Sequence, residues 1–166
     1  MTPEQIATHI PRLRRYARAL VGDPHAADDL VQDTLERAIN KRHLWRPGSD
    51  LRAWLFAIMH NVFVNQLRSR QAHPEEGLDD ETLPAVAPTD GARLEIRDLQ
   101  SALAVLPAEQ REIVLLVGLE QLTYAEVSEA LGIPIGTVMS RLFRGRERLR
   151  GLIAGAPVAP NLKVVK

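Results

Sequence analysis

Cysteine is absent from the 166 residues of this chain. The chain therefore cannot form a disulfide, supply a thiolate nucleophile, or offer cysteine ligands to zinc or an iron–sulfur cluster. Its histidines are widely spaced, at His9, His25, His43, His60 and His73, so no HExxH-type pair exists and no metal is expected. The chain also lacks a GxSxG motif, a P-loop and a Rossmann glycine pattern. An enzyme is therefore the least favoured class, and no cofactor is expected.

Long apolar runs are missing as well. The longest covers residues 113–119 and includes Gly118, whereas a membrane-spanning helix needs about 20 apolar residues. The N-terminus has no basic segment followed by an apolar stretch, so no secretory signal is expected. These absences favour a cytoplasmic protein without direct membrane insertion. An apolar fraction of 45% and a charged fraction of 25% exclude a wholly disordered chain.

Strand signals are poor, because aromatic residues make up only 4% of the chain and alternating Val, Ile and Thr runs are missing. Apolar periodicity, Gly and Pro instead predict an all-α fold. In the N-terminal half the expected helices cover residues 4–21, 24–42 and 50–70. In the C-terminal half they cover residues 92–105, 108–119, 123–131 and 135–153.

Net charge is zero, with 21 basic and 21 acidic side chains, but the charges are unevenly distributed. Residues 1–70 carry +4, residues 71–100 carry −6, and residues 101–166 carry +2. Residues 71–91 are acidic, contain three prolines and have no helical stripe, which is typical of a flexible linker. The sequence thus predicts two small helical domains, 1–70 and 92–154, joined by the acidic linker 71–91 and followed by a flexible tail, 155–166.

The strongest motif lies in the second domain. Thr123 and Glu126 have the spacing of a capping box, Gly132 permits a left-handed turn, and Pro134 fits the first turn of a following helix. A short helix, a glycine turn and a longer helix are typical of a helix-turn-helix. The outward face of the second helix carries Thr137, Ser140, Arg141, Arg144 and Arg148. This face suits the DNA major groove, although an ordinary helical hairpin with solvated arginines is the alternative.

Two segments of the first domain show polar faces without an obvious task. One is DDLVQDTLERA (residues 28–38), with Asp29, Gln32, Asp33, Glu36 and Arg37 on one side of a helix. Such a face is usually only solvated. The other is residues 49–70, where Asn61, Asn65 and Arg68 recur on one face and suit base edges and phosphates. The rings of Trp45, Trp54, Phe56 and Phe63 could stack on an unpaired base, but core packing is the better interpretation for each ring alone.

Four segments together resemble the extracytoplasmic-function (ECF) sigma factors, two-domain members of the bacterial sigma-70 family. They are DDLVQDTLERA, LRAWLFAIMHNVFVNQLRSR, LPAEQREIVLL and LTYAEVSEALGIPIGTVMSRLFRGRERL, and the resemblance runs from about Arg12 to Leu152. It implies a non-catalytic subunit that binds core RNA polymerase and directs promoter-specific initiation. It further implies a stress or envelope response, an anti-sigma factor as partner, and polymerase contacts to the β′ clamp helices and the β flap.

The resemblance also assigns residues. The face that binds core polymerase would be Asp29, Gln32, Asp33, Glu36 and Arg37. The −10 element would be bound by Trp45, Arg46, Asn61, Asn65 and Arg68. The −35 element would be bound by Thr137, Ser140, Arg141, Phe143, Arg144, Arg146 and Arg148. Many relatives carry a basic residue where Met139 stands, so one DNA contact of the family is missing here.

Two other functions remain open on the sequence. A stand-alone helix-turn-helix regulator would account for the second domain but leaves the 28–38 segment without a role. A sigma mimic that sequesters an anti-sigma factor would not need the arginine face, and such mimics typically carry an added receiver domain.

Overall fold

The computed structural model describes residues 1–72 and 91–154, without the side chains of residues 91–97. Most of the predicted acidic linker, residues 73–90, and the predicted tail, residues 155–166, lie outside the described residues. The described helices are α1 (Pro3–Ala7), α2 (Ile10–Val21), α3 (Pro24–Asn40), α4 (Leu51–Ala72), α5 (Gly91–Val105), α6 (Ala108–Gly118), α7 (Tyr124–Leu131) and α8 (Ile135–Ile153), with a 3₁₀ turn at Arg42–Leu44. No strand occurs in these residues, and the predicted all-α class is confirmed.

The first predicted helix, 4–21, is two helices in the structure. Thr8 and His9 separate α1 from α2. Pro11, in the first turn of α2, has no N–H to donate to the carbonyl of residue 7, so one continuous helix would lose a hydrogen bond there. The prediction of one continuous helix was wrong on this point, because it did not take Pro11 into account.

Helices α1–α4 form an N-terminal unit around a core of large side chains. Leu13, Tyr16, Leu30, Leu55 and Met59 are all at most 2% exposed. The ring of Tyr16 meets the ring of Phe56 edge to face, with centroids 4.9 Å apart and planes at 71°. This geometry is preferred by aromatic pairs, and it places a side chain of α4 against one of α2 inside the core.

Local signals set the junction between α2 and α3. Gly22 adopts φ 82° at the end of α2, a conformation that glycine tolerates without strain. The side chain of Asp23 then accepts a hydrogen bond from the Ala26 N–H at 2.9 Å, and Pro24 occupies the first helical position. The sharp turn directs α3 back along α2, so the polar side of α3 is left facing solvent.

Helices α5–α8 form a C-terminal unit. Ile113 and Leu116 of α6 are buried together with Val138 and Leu142 of α8. Gly145 of α8 is also buried and lies against α6. The crossing of α8 over α6 therefore fixes which side of α8 is available to a partner.

The two units are packed against each other. Helix α4 contacts α7, and α2 contacts α5 and α6. The buried side chains of both units form one hydrophobic cluster rather than two. The relative position of the units is therefore set by packing as well as by chain connection.

Candidate functional site

The polar face of α3 is exposed as its sequence pattern predicts. Its opposite side is buried through Ala27, Leu30, Val31, Thr34 and Ala38. The Thr34 hydroxyl donates to the Leu30 carbonyl at 2.7 Å, which satisfies this polar group inside the core. Asp29, Gln32, Asp33 and Glu36 are exposed, whereas Arg37 is half-buried. The five candidate polymerase-binding side chains thus share one accessible surface.

A groove of about 470 Å³ runs between α3 and α4 beside this surface. Asp33, Glu36 and Arg37 line one wall, and Asn65 and Gln66 line the other. The Gln66 amide donates to the Asp33 carboxylate at 3.1 Å and so joins the two walls. The acidic face of α3 and the polar face of α4 are therefore neighbours.

The candidate −10 residues lie on two elements. Trp45 and Arg46 follow the 3₁₀ turn, with Trp45 half-buried and Arg46 exposed. Asn61, Asn65 and Arg68 are exposed on α4, and the Arg68 guanidinium approaches the Asn65 amide oxygen at 3.5 Å. Trp54 is half-buried, and Phe56 and Phe63 are buried, so the core role predicted for these two phenylalanines agrees with the structure.

The helix-turn-helix begins with the predicted capping box. The Glu126 N–H donates to the Thr123 hydroxyl at 3.0 Å, and the Thr123 N–H donates to the Glu126 carboxylate at 2.9 Å. Gly132 adopts φ 69° and ψ 36°, the left-handed conformation expected at the end of α7. The Ser128 hydroxyl donates to the Ile133 carbonyl at 2.6 Å across the turn. Pro134 is the N-cap residue of α8, one position before the expected first turn.

The outward face of α8 is basic and partly apolar. Phe143 is 65% exposed, and Arg144, Arg146 and Arg148 are also exposed. Thr137, Ser140 and Arg141 are half-buried at its sides, and Arg141 lies 3.9 Å from the Glu109 carboxylate. Among the side chains that the structure describes, in residues 1–72 and 98–154, none forms an ion pair with Arg144, Arg146 or Arg148. These three guanidinium groups are available to phosphates or guanine edges.

Comparison with known proteins matches both units. The model for the sigma2 domain of PhyR matches residues 6–60, and the model for sigma-70 region 4 matches residues 96–149. The ECF RNA polymerase sigma factor EcfG of Rhodopseudomonas palustris is 38% identical over 152 residues, which cover 90% of this chain and 83% of that protein. The chain belongs to the ECF family of RNA polymerase sigma factors.

Two further similarities agree with this family. The ECF sigma factor SigE of Mycolicibacterium smegmatis is 37% identical over 158 residues, covering 91% of this chain and 61% of that protein. The sigma factor RpoE of Bartonella quintana, solved in complex with the anti-sigma factor NepR, superposes with a TM-score of 0.77. It is 35% identical, and the match covers 91% of this chain and 95% of that one. As a sigma factor, the chain binds core RNA polymerase and promoter DNA.

Sequence reasoning missed a set of ionisable residues at the boundary between the two units of this sigma factor. Glu112 of α6 and Glu120 of the α6–α7 loop are buried. The His60 Nδ1 atom lies 2.7 Å from the Glu112 carboxylate, and the Arg15 guanidinium lies 3.2 Å from that of Glu120. No local signal marks these contacts, because the partners are 52 and 105 residues apart in the chain.

Burial shifts the pKa values of two ionisable groups at this boundary. The pKa of the Tyr16 phenol is raised well above its ordinary value, first by burial and then by the carboxylates of Glu112 and Glu120. Burial lowers the pKa of the Arg111 guanidinium, while Glu112 opposes the shift. Both shifts follow from moving polar groups out of water.

The described parts of this sigma factor hold neither a cluster of metal-ligating side chains nor a membrane-spanning helix. No group of three or more His, Asp or Glu side chains is placed to hold a metal ion there. No helix in the described parts of the chain is both long and apolar enough to cross a membrane.

Proposed function

We propose that this ECF sigma factor binds the β′ clamp helices of core polymerase through Asp29, Gln32, Asp33, Glu36 and Arg37. The proposal is supported by the exposure of four of these side chains on a single face of α3. Because the face is mainly acidic and is not covered by another described helix, it can meet a basic partner surface directly. Domain 4, taken as residues 92–154, would bind the β flap.

The same proposal assigns the DNA contacts. Trp45, Arg46, Asn61, Asn65 and Arg68 of domain 2, taken as residues 1–70, would bind and help to open the −10 element. Thr137, Ser140, Arg141, Phe143, Arg144, Arg146 and Arg148 would bind the −35 element. The observation that carries the assignment is the second helix of the helix-turn-helix. It presents arginines to solvent that have no ion pair among the described side chains. A flipped base held by domain 2 would offset part of the unstacking cost, which is a few kcal/mol.

Regulation by an anti-sigma factor belongs to the same proposal. The similar RpoE was solved in complex with the anti-sigma factor NepR. We place this chain in the cytoplasm, in a stress or envelope response, as an initiation subunit that breaks no covalent bond itself. The predicted linker, residues 71–91, and tail, residues 155–166, complete the domain assignment.

The deciding experiment is initiation on genomic DNA. The purified chain would be mixed with sigma-free core polymerase and fragmented genomic DNA, and the 5′ ends of the RNA would be sequenced. We expect discrete start sites that share two spaced upstream elements. Specific DNA binding by the chain alone, without initiation, would instead indicate a stand-alone regulator.

A sigma mimic is the second candidate, because the model matching residues 6–60 describes the sigma2 domain of PhyR. A mimic would bind an anti-sigma factor but would direct no initiation and bind no promoter. The exposed arginines of α8 favour the sigma factor, since a mimic has no use for a DNA-binding face. The absence of both initiation and DNA binding in the same experiment would favour the mimic.

A further inference from the structure

The first two turns of α8 differ in chemistry from the rest of the helix. Residues 135–140 carry no charged side chain, whereas residues 141–150 carry five arginines. Ile135 and Met139 project from these two turns and are 44% and 47% exposed. Side chains four residues apart are neighbours on a helix surface, so these two form one small surface. We call Ile135 and Met139 the apolar patch of α8.

The other residues of these turns offer less to a partner. Val138 is 0% exposed and belongs to the core, and Gly136 has no side chain. Thr137 and Ser140 are half-buried, and the Ser140 hydroxyl donates to the Thr137 carbonyl at 3.3 Å. The apolar patch is therefore the most exposed side-chain surface at the start of α8.

The start of α8 is held in place by the packing around it. Val138 and Leu142, on the inward side of the helix, are 0% and 3% exposed. The preceding turn is tied to α7, because the Ser128 hydroxyl donates to the Ile133 carbonyl at 2.6 Å. The backbone that carries the apolar patch is thus preorganised, which reduces the entropy lost when a partner binds.

The charge that follows the apolar patch indicates the chemistry of this partner. Arg146 lies seven residues after Met139, on the same side of α8, and is exposed. No side chain that the structure describes forms an ion pair with Arg146. The occupant should therefore combine negative charge with apolar groups. The DNA major groove has phosphates along its edges, and the apolar group that its base pairs present is the C5-methyl group of thymine.

The position of the apolar patch agrees with such an occupant. In a helix-turn-helix, the residues at the N-terminal end of the second helix contact base edges in the major groove. Ile135 and Met139 lie at that end of α8. Neither side chain has a strong hydrogen-bond donor, so neither can recognise the acceptors of guanine as an arginine does. An apolar contact with thymine is the base recognition that remains for them.

We propose that Ile135 and Met139 are specificity-determining residues, which contact the C5-methyl groups of thymines in the −35 element. This inference rests on the proposed function, because it requires α8 to bind that element. The −35 element should then contain thymine, on one strand or the other, where the apolar patch meets the groove. Arginines further along α8 bind phosphates or guanine edges of the same element.

Replacement of thymine by uracil tests the contact directly, because uracil pairs in the same way and lacks only the C5-methyl group. Holoenzyme reconstituted from the full chain and core polymerase would be titrated with a promoter fragment found by the mapping of start sites. Each thymine of the −35 element, on either strand, would be replaced in turn by deoxyuridine. We expect the binding constant to fall about fourfold at each contacted thymine, as the exposure of one methyl-sized group to water predicts.

Variants of the apolar patch assign each contact to a side chain. Met139→Ala and Ile135→Ala should each abolish the difference between thymine and uracil at one position of the element. Met139→Leu keeps a large apolar side chain and should keep the difference. Ile153→Ala is the matched control, since Ile153 is 48% exposed at the other end of α8. This control should leave the thymine preference unchanged at every position.

Three results would overturn the inference while −35 binding itself stands. One is a required −35 element without thymine on either strand, and another is a wild-type holoenzyme that binds thymine and uracil equally throughout the element. The third is an unchanged thymine preference in the double variant Ile135→Ala/Met139→Ala. If that variant also binds core polymerase more weakly in the absence of DNA, the apolar patch contacts a protein instead.

A failure of the proposed function gives a different result. Scrambling the whole −35 element would then have no effect on initiation by the wild-type holoenzyme. This outcome contradicts the assignment of −35 binding to α8, and the inference about thymine is overturned with it.

Discussion

A β-carbon added at Gly145 would lie 2.8 Å from the Cγ2 atom of Val114 and 3.3 Å from the Cβ atom of Gln110. Gly145 thus allows α8 to approach α6 closely, and this contact determines how α8 is presented. Gly151, on the same helix, has no such neighbour among the residues that the structure describes. The two glycines form a matched pair, in which the effects of packing and of helix propensity on the stability of the protein can be separated.

The first prediction uses this pair. Gly145→Ala is expected to lower the free energy of unfolding by about 1–3 kcal/mol, because overpacking outweighs the gain in helix propensity. Gly151→Ala is expected to raise it by about 0.5–1 kcal/mol. Urea unfolding followed by circular dichroism measures both changes. A Gly145→Ala variant as stable as Gly151→Ala would show that α6 and α8 do not pack this closely.

The second prediction concerns the capping box of α7. Thr123→Ala removes the acceptor for the Glu126 N–H, whose hydrogen bond is 3.0 Å long. We expect a loss of about 1 kcal/mol in the free energy of unfolding. Thr123→Ser keeps the hydroxyl and should lose much less in the same urea titration. Equal losses for alanine and serine would assign the effect to the threonine methyl group rather than to the cap.

The positions of the helices could be predicted from the sequence because the residues that begin and end a helix act locally. The Thr123–Glu126 cap, the Asp23–Pro24 start and Gly132 each act within a few residues, and α3 and α8 begin where the pattern predicts. The contacts between the units could not be predicted in this way, because Glu112 lies within a largely apolar helix and its partner His60 is 52 residues away. Periodicity describes one helix at a time and gives no partner for a charge on an inward face.

The candidate site, too, could be predicted only in part from the local sequence pattern. The pattern predicted which side of α3 and of α8 is polar, and the structure exposes Asp29, Asp33 and Arg144 on those sides. The helix-turn-helix pattern predicted DNA as the partner of the α8 face, whereas the partner of the α3 face came only from the family resemblance. Those residue roles stay predictions, since exposure permits a contact but does not name the partner.

The third prediction is a pH dependence that arises from Tyr16. Burial, with added repulsion from Glu112 and Glu120, raises the pKa of this phenol well above its ordinary value. The neutral phenol is therefore the form that the fold favours, and its contribution to stability is complete below about pH 10, the ordinary pKa of tyrosine. As the pH rises further, the unfolded chain releases the phenol proton while the folded chain keeps it. The free energy of unfolding should fall by up to about 1.4 kcal/mol per pH unit.

The measurement compares urea unfolding at about pH 8 and about pH 10.5, on either side of that ordinary pKa. Tyr124→Phe removes the other tyrosine, and Tyr16→Phe in the same background removes the titrating group. We expect a clearly smaller loss of stability at alkaline pH when Tyr16 is replaced. The same loss in both proteins would assign the alkaline sensitivity to other groups.

The last prediction separates the two DNA-binding faces. Arg144→Ala should weaken binding to the −35 element by about 1–3 kcal/mol if the guanidinium contacts a base edge. Asn61→Ala should leave −35 binding unchanged and reduce discrimination among −10 sequences. Both side chains are exposed, so neither substitution should disturb the core. Transcription by reconstituted holoenzyme, on promoter libraries randomised in one element at a time, measures the two effects independently.

Controls for this prediction come from the same two units. Arg150→Ala removes a guanidinium that is ion-paired with Glu147 near the end of α8, and Asn40→Ala removes an exposed amide at the end of α3. Both controls should transcribe the libraries like the wild-type protein. Because Arg144 and Asn61 lie in different units, their effects should also add in the double variant. If both single variants keep the promoter preferences of the wild-type protein, these two residues do not belong to the proposed DNA interface. A strong defect in Arg150→Ala would show that the charge on α8, rather than the position of Arg144, determines −35 binding.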